Sequence, residues 1–464
     1  MSDRVAINAA ADPAEALRLA EDVVRLAEGA GASEAEALVV AGESALTRFA
    51  NSEVHQNVAS TEVFVNLRVA RGRRIGVASS GRLDPEGVRA LVERAMDIAG
   101  NVEELEDWAG LPDPEPGSAG RVAAPLDAAW SDGTAGATPE LRAAGARAVI
   151  AASDAAGVTA YGSFATEAEA IAVATSRGIR AAERRTTSQL LTVTMGPDNG
   201  TGYAEQAAVD ATTIDAAALG REAAERARVS RNPVDIAPGD YPVVLNHYAV
   251  VDLLDMLGYL GFSALAVQED RSFYEAGKAV ASPLVTITDD GRDPAGLPMG
   301  FDAEGVTKQR LALLDRGVCR DLAFDAQTAA RVGRRSTGHG LPAPNTWGPF
   351  PINMVMDGGD ATLDELIGGM DRGLLVTRFH YTNPAHPKKV VITGMTRDGT
   401  FLVEGGRIVG PVRNLRFTMS YLDALAGVEA VTRERRCLRG MLGGVVVPAV
   451  RLSSFSFTGA TAAG

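Results

Sequence analysis

The sequence predicts an α+β protein, in which an N-terminal antiparallel sheet flanked by helices is followed by a mostly β C-terminal domain. In the first half, amphipathic helical stretches enclose runs in which apolar and polar residues alternate, as they do in half-buried strands. Beyond residue 280 the segments are short, strand-like and separated by turn residues. A chain of 464 residues is long enough for two or three domains.

The N-terminal region is predicted to begin with a helix over residues 13–29. Asp12 can serve as its N-cap with Pro13 at the first helical position, and Gly29 ends it. Alternating runs then predict short strands with turns at Asn51-Ser52 and near Gly72. These runs cover residues 36–41, 45–50, 54–58, 61–70 and 74–79, and a second helix is predicted over 84–99.

A linker is predicted at residues 109–139, where Pro, Gly, Ser and Thr are dense. It is followed by a helix over 139–156, antiparallel strands within 158–208 and a helix over 213–230, and no convincing internal repeat is visible. The predicted organisation is an N-terminal domain, the linker, a second part of the N-terminal α/β region and a C-terminal domain. Their bounds are 1–108, 109–139, 140–232 and 233–464.

The C-terminal region is predicted to start with a strand at 242–245 and a helix. The helix has a broad apolar stripe from Val250 to Leu260, while Tyr248, Asp252 and Asp255 share the opposite face. Later strands are predicted at 284–288, 351–356, 389–393, 400–403 and 407–412, with closing strands at 443–450 and 452–457.

Composition argues against several classes of function. The net charge of −14 disfavours binding to nucleic acid or to an anionic membrane surface. Two cysteines are too few for a secreted disulfide framework, and residues 1–6 lack the basic start of a signal peptide. No apolar run approaches the ~18 residues of a membrane helix. We therefore expect a cytoplasmic protein.

The histidines offer only weak metal-binding patterns. The chain has five histidines, and it contains no His-Glu-x-x-His and no Cys-x-x-Cys. His380 and His386 could converge if Asn383-Pro384 forms a turn, although ordinary loop histidines are the simpler interpretation. His247, at a strand-to-helix junction, could be a neutral ligand or bind a substrate carbonyl; alternatively it is a polar residue beside a cap formed by Asn246.

The Gly- and Pro-rich loop at residues 336–346 is another candidate site. Such a loop could pair with an extended peptide, or it could be a structural crossover. No Gly-x-Ser-x-Gly, Walker loop or dinucleotide fingerprint is present. The basic run at 433–436 is interpreted as a solvated helix face.

A set of motifs, taken in order, resembles the TldD/PmbA family of metallopeptidases. The set includes Phe-Asp-Ala-Glu-Gly-Val at 301–306, Ser-Thr-Gly-His-Gly at 336–340, Gly-Leu-Leu-Val-Thr-Arg at 373–378 and Phe-Leu-Val-Glu-Gly-Gly-Arg-Ile at 401–408. The helix–sheet–helix at the N-terminus is similar to the family's first domain. The resemblance covers nearly the whole chain and implies a peptidase-like C-terminal domain.

The family contains two kinds of subunit. TldD-like members bind zinc through His-Glu-x-x-x-His and cut peptides, whereas TldE (PmbA)-like members lack the motif and pair with a TldD-like partner. In the family's register His247 falls on the first histidine, while Tyr248 replaces the glutamate and Asp252 the second histidine. Cys437 lies in the region of the family's late cysteine ligand, in surroundings that do not match.

The resemblance therefore implies a TldE-like subunit, from a branch with an insertion at 379–384, that binds no metal itself. Zinc would be held by a TldD-like partner in a heterodimer that hydrolyses unfolded or small modified peptides. This chain would shape the substrate channel, and its predicted substrate-binding residues are His339, Asn345, Thr346 and His380.

Two other hypotheses remain open from the sequence. One is an autonomous metallopeptidase with a rearranged site, whose ligands would come from His247, Asp252, His380, His386 and Cys437. The other is a metal-free peptide-binding protein, with a homodimer as the alternative assembly. Metal content separates the first of these from the TldE-like subunit, and a zinc-bearing partner separates the second.

Overall fold

The structure, a computed structural model, describes residues 12–124 and 126–460. The segment 1–6, in which the sequence shows no signal peptide, lies outside the described residues. The helices are α1 (Pro13–Gly29), α2 (Pro85–Asn101), α3 (Asp132–Ala135), α4 (Pro139–Ala155), α5 (Ala216–Val229), α6 (His247–Leu260), α7 (Ala264–Gln268), α8 (Ala326–Ala330), α9 (Leu363–Gly368) and α10 (Tyr421–Ala426).

The strands are more numerous than the helices and belong to two sheets. They are β1 (Glu34–Ala50), β2 (Glu53–Arg71), β3 (Arg74–Ser80), β4 (Thr159–Thr175), β5 (Arg180–Met195), β6 (Thr201–Ala208), β7 (Gly239–Leu245), β8 (Ile287–Asp289), β9 (Leu311–Asp315), β10 (Val318–Cys319), β11 (Met354–Met356), β12 (Arg372–His386), β13 (Val391–Glu404), β14 (Arg407–Val412), β15 (Leu415–Ser420), β16 (Val428–Arg439) and β17 (Gly444–Ala460). The predicted α+β class is confirmed.

The N-terminal sheet has six antiparallel strands in the order β3-β2-β1-β4-β5-β6. The strands of each half are flanked by helices in the same order. The first half is α1, β1 to β3 and α2, and the second half is α4, β4 to β6 and α5. The structure therefore contains a repeat that the sequence does not display. Local signals begin the first helix as predicted, since the Asp12 carboxylate accepts a hydrogen bond of 2.8 Å from Ala14 N.

In the N-terminal sheet, two pairs of predicted short strands are single long strands, and in the C-terminal sheet the predicted pairs 389–393 with 400–403 and 443–450 with 452–457 likewise fall on β13 and β17. Residues 42–44 continue β1 because they pair with β2 on one side and with β4 on the other. β2 likewise runs unbroken across residues 59–60, which pair with 44–45 of β1. Hydrogen bonding from neighbouring strands thus overrides the weak strand preference of Gly42.

The C-terminal sheet closes on itself. β7 pairs in parallel with β12 and antiparallel with β17, and β17 continues through β15 and β13 back to β12. The resulting ring of five strands encloses an aromatic cluster in which Phe379 lies 4.6 Å from Phe417 and 5.4 Å from Phe455 between ring centroids. The first turns of α6 leave one end of this ring, directly after β7.

Two sequence-based interpretations of this region are wrong. Residues 379–386 form the outer part of β12 rather than a turn, and they pair with β13 through register shifts that include Tyr381 at φ 55°. Bulges accommodate Pro384 in a strand, which explains why the Asn-Pro pair was misleading. The basic run 433–436 lies in β16 and pairs with β17, so it is not a helix face.

The two sheets are joined by buried charges. Arg68 of β2 lies 2.6 Å from Glu36 Oε2 and 3.1 Å from Glu304 Oε1, and Glu304 belongs to the 301–306 motif. Asn66 Nδ2 also donates to Ala343 O at 2.5 Å. None of the helices in the described ranges has both the length and the hydropathy that crossing a bilayer requires.

Candidate functional site

The candidate site is a cavity of about 610 Å³ at the N-terminus of α6. β7 ends at Leu245, and Asn246 follows as the N-cap residue with its N–H bonded to Val376 O at 3.0 Å. The expectation that the Asn246 side chain caps the helix is wrong, because it makes no capping hydrogen bond and its Oδ1 has no partner among the described residues. Both Asn246 and His247 line the cavity.

His247 is held in one tautomer. Its Nε2 lies 3.3 Å from Glu434 O, and because a carbonyl can only accept, Nε2 carries the proton. Nδ1 then has a free lone pair, and no described residue donates to it. Burial, together with the charge of Arg436, lowers the pKa of His247 to about 4, so the imidazole is neutral near neutral pH.

The Tyr248 hydroxyl is part of a charged cluster with Glu222 and Arg436. It donates to Glu222 Oε1 at 3.0 Å, and Arg436 Nη1 donates to Tyr248 Oη at 2.9 Å and to Glu222 Oε2 at 2.7 Å. Burial and Glu222 raise the pKa of Tyr248 to about 12. The phenol therefore stays protonated and cannot serve as a general base near neutral pH.

Two arginines hold Glu222 in its ionised form. Burial alone would raise the pKa of Glu222, but Arg226 and Arg436 bring it below the usual value. Arg226 Nη1 lies 2.8 Å from Glu222 Oε1, and the Arg226 guanidinium also stacks over the Tyr248 ring at 5.3 Å. The guanidinium groups of Arg226 and Arg436 are the cations beside Tyr248 in this cluster.

The other residues in the family's metal register do not assemble into a ligand set. Both carboxylate oxygens of Asp252 are occupied, by the Thr382 hydroxyl at 2.6 Å and the Tyr421 hydroxyl at 2.5 Å. Burial raises the pKa of the Cys437 thiol to about 12, so without a cation beside it this cysteine is a neutral thiol near neutral pH. Within residues 12–124 and 126–460, no three or more His, Cys, Asp or Glu side chains are placed to hold a metal. These residues do not fit zinc.

His380 and His386 are not brought together. Both lie on β12, where His380 pairs with Met395 and His386 with Val391. His380 is half-buried and His386 is exposed near the hairpin end. Their proposed role as a convergent pair therefore has no geometric support, while substrate contact by His380 stays a prediction.

The 336–346 loop divides into a buried and an open half. Residues 336–340 are buried, and His339 has Nε2 2.9 Å from Asp289 Oδ1 and Nδ1 3.0 Å from the Thr337 hydroxyl. Lys308 lies 2.9 Å from the same oxygen of Asp289. Both ring nitrogens of His339 are occupied and its side chain is 0% exposed, so it offers no open atom to a ligand in this arrangement, and substrate binding by His339 stays a prediction.

Asn345 and Thr346 lie in the open half of that loop. Asn345 Nδ2 donates to Gly348 O at 2.9 Å, and Asn345 Oδ1 accepts from Trp347 N at 2.9 Å, which fixes a local turn. Thr346 and Trp347 are exposed, and Trp347 packs edge-on against Tyr259 at 5.4 Å between centroids. Peptide binding by Asn345 and Thr346 stays a prediction.

Sequence reasoning missed the charged cluster around Tyr248. Glu222 and Arg436 are 214 positions apart, and Arg436 was assigned to a solvated helix. The sequence does carry one signal for a strand, because the β-branched residues Val428, Val431 and Thr432 directly precede the run. The pairing of Arg436 with a residue of α5 had no local signal.

Comparison with known proteins finds matches along most of the chain. Three family models match: PmbA/TldA metallopeptidase domain 1 at residues 35–99, the central domain at 135–231 and the C-terminal domain at 238–459. The crystal structure of TldE from Thermococcus kodakarensis superposes with a TM-score of 0.85 at 20% identity, covering 95% of this chain and 100% of that one. This likeness supports the fold.

Two curated relatives differ in how far they align. The metalloprotease TldD homolog of Buchnera aphidicola subsp. Acyrthosiphon pisum is 27% identical over 232 residues, which is 48% of this chain and 46% of that protein. This alignment thus spans about half the length of the relative. The metalloprotease PmbA of Escherichia coli O157:H7 is 23% identical over 429 residues, which is 89% of this chain and 90% of that protein.

Proposed function

Because the chain belongs to the PmbA/TldD metallopeptidase family, we propose that it is the TldE/PmbA-like, non-catalytic subunit of a two-subunit zinc peptidase. The zinc and the catalytic glutamate would belong to a TldD-like partner chain. The complex would hydrolyse unfolded or small modified peptides in the cytoplasm, and this chain would form part of the substrate channel.

The observation that carries the proposal is the state of the metal-motif positions. Of the three, only His247 keeps an imidazole, Tyr248 is committed to Glu222 and Arg436, and Asp252 is committed to two hydroxyl groups. A catalytic zinc site needs about three protein ligands and usually a carboxylate base beside the bound water. Neither requirement is met at this end of α6.

All three domains of the family are matched along the chain. The PmbA alignment is the longer, over 89% of the chain against 48%, and the TldD homolog is the more identical, 27% against 23%, so the alignments alone do not distinguish the two kinds of subunit. A TldE-like subunit would retain the family's domains, which shape the channel, without the metal-binding side chains. The neutral acceptors Asn246 Oδ1 and His247 Nδ1 would then serve peptide N–H groups rather than an ion.

Metal analysis and reconstitution test the proposal together. The purified chain alone should contain far less than one zinc per molecule and should not cleave an unstructured peptide. Affinity purification from its native cells should recover a chain bearing His-Glu-x-x-x-His, and the mixture should hydrolyse the peptide. His247→Gln in this chain should leave the zinc content of the mixture unchanged.

Each alternative hypothesis predicts a different result. Near-stoichiometric zinc in the chain alone, lost in His247→Gln, would establish the autonomous metallopeptidase. Peptide binding without metal, without a partner chain and with a homodimeric mass would establish the peptide-binding protein. Either result rejects the proposal.

A further inference from the structure

A second cavity lies away from α6, where the linker meets both sheets. Its volume is about 690 Å³, and its walls come from residues 109–124, the β4–β5 turn, Arg292, the loop around 300–309, the helix α8 and the segment that follows it to residue 336. Volumes of roughly 300–1,000 Å³ are typical of small-molecule sites. No residue of this cavity lines the cavity at the N-terminus of α6.

The charge of this cavity is opposite to that of the chain. Six arginines line it against two carboxylates, although the whole chain has a net charge of −14. The arginines are Arg121, Arg177, Arg180, Arg292, Arg334 and Arg335, and the carboxylates belong to Asp113 and Glu115. A cavity lined mainly by one sign of charge attracts ligands of the other sign.

Half of these arginines are already neutralised. Arg177 lies 2.6 Å from Asp113 and 3.0 Å from Glu34, Arg334 lies 3.0 Å from Asp321, and Arg180 pairs with Glu21. These ion pairs fix three guanidinium groups in the cavity wall. The pair with Arg177 also neutralises Asp113, one of the two carboxylates that line the cavity.

The other three arginines have no carboxylate partner among the described residues. Arg335 donates only to Pro114 O at 2.9 Å, and the guanidinium groups of Arg121 and Arg292 make no hydrogen bond or ion pair there. They come from three separate segments: the linker, the loop after β8 and the loop before the Ser-Thr-Gly-His-Gly motif. All three residues are exposed and line the same cavity.

We propose that this cavity binds a small organic phosphate with two or more negative charges. Guanidinium groups donate planar pairs of hydrogen bonds that match phosphate oxygens. The apolar side chains of Leu111, Ile179, Phe301 and Val306 line the same cavity and would contact the organic part of the ligand. The proposal does not depend on the peptidase partner or on zinc.

Isothermal titration calorimetry at low salt tests this proposal with ADP as the organic probe and inorganic pyrophosphate as the minimal one. Both should bind saturably, ADP more tightly than pyrophosphate, whereas adenosine should not bind. The triple substitution Arg121→Ala, Arg292→Ala and Arg335→Ala should weaken ADP binding by at least about tenfold, because it removes charge-assisted hydrogen bonds. Added salt should weaken ADP binding to the wild-type protein more than ADP binding to the triple variant.

A matched triple variant controls for net charge. Arg89, Arg94 and Arg407 are also exposed and have no ion pair within the described ranges, so their replacement by alanine should change ADP affinity by less than about twofold. Absence of saturable binding by both probes up to about 5 mM overturns the proposal. Equal ADP affinity in the two triple variants also overturns it, as does binding of an acidic peptide alone.

Discussion

Arg436 shows how one side chain changes the chemistry of the α6 site. Its guanidinium bridges Glu222 and Tyr248, so a permanent cation already stands beside the position that would otherwise present a general base. Removing one partner from such a group would leave a charge with poor solvation. The side-chain identities at 247, 248 and 252 could be read from the sequence, but this bridge could not.

His247 gives the first prediction, which concerns pH. Its pKa in the folded protein is about 4 and near 6.5 when unfolded, so below pH 6.5 the unfolded chain binds the proton more tightly. The stability that the neutral imidazole contributes is present above about pH 6.5 and is lost as pH falls towards 4. In His247→Gln, which cannot titrate, about 2 to 3 kcal/mol of the wild-type loss between pH 7.5 and 4.5 should disappear.

Urea unfolding at the two pH values measures this difference. Gln retains a donor for Glu434 O, so the variant should fold. His55→Gln, at an exposed position on β2, is the control and should follow the wild-type pH dependence. An identical acid sensitivity of wild type and His247→Gln would mean that His247 is not buried in its neutral form.

At the scale of single elements, local chemistry predicted the helix starts well. Asp12 is the N-cap with Pro13 at the first helical position, as expected, because a cap needs only residues within one turn. The second helix, predicted over 84–99, begins at Pro85 with Asp84 as its N-cap. β12 could not be predicted in the same way. Its outer half contains Asn383-Pro384, and only pairing with β13 keeps that segment extended.

The two edge strands of the N-terminal sheet, β3 and β6, each contain a glycine that contacts a helix backbone, and the sequence gives no signal for this contact. A Cβ at Gly76 of β3 would lie 2.0 Å from Ala95 O of α2, and a Cβ at Gly202 of β6 would lie 2.0 Å from Ala223 O of α5. In both halves of the N-terminal sheet, a glycine therefore lets a helix backbone rest on the edge strand. The two halves of the structural repeat therefore share the same packing contact as well as the same order of elements.

The second prediction tests that contact by substitution. Gly76→Ala and Gly202→Ala should each lower the free energy of unfolding by about 2 kcal/mol, since overpacking against backbone cannot be relieved by a side-chain rotation. Gly410→Ala in β14 is the control, because nothing lies within 4 Å of its Cβ position. Chemical denaturation measures all three; unchanged stability of both edge-strand variants would show that the helices can move away freely.

At the scale of the whole molecule, the sequence did not predict which strands pair with one another. Of the C-terminal strands, β7, β8, β11, β13, β14 and β17 coincide with predicted segments, whereas β9, β10, β12, β15 and β16 do not. Ring closure pairs β7 with β12 and β17, whose partner residues are more than 100 positions away. Such pairings depend on the complementarity of distant surfaces rather than on local preference. The contact between the N-terminal sheet and the 301–306 motif could not be predicted for the same reason, since it joins residues that are distant in the sequence.

The third prediction concerns that contact, which Arg68 makes with Glu36 and Glu304. Arg68→Met keeps most of the side-chain volume but leaves two buried carboxylates without their cation, so the free energy of unfolding should fall by about 3 to 5 kcal/mol at pH 8. Arg82→Met is the matched control. Its ion pairs with Asp84 and Glu86 are on the surface, with 59% of the arginine side chain exposed, and its loss should change stability little.

The pH dependence of the Arg68→Met loss separates electrostatics from packing. Burial raises the pKa of Glu304 to about 7, and Arg68 is the group that opposes this rise. Without Arg68 the pKa of Glu304 rises further, so the folded variant keeps a proton on Glu304 to a higher pH than the wild type does, whereas the unfolded chain has already lost that proton by pH 8. A raised carboxyl pKa removes stability as pH increases, and the destabilisation should therefore be smaller at pH 5 than at pH 8. Equal losses at both pH values would show that Arg68 joins the two sheets by packing alone.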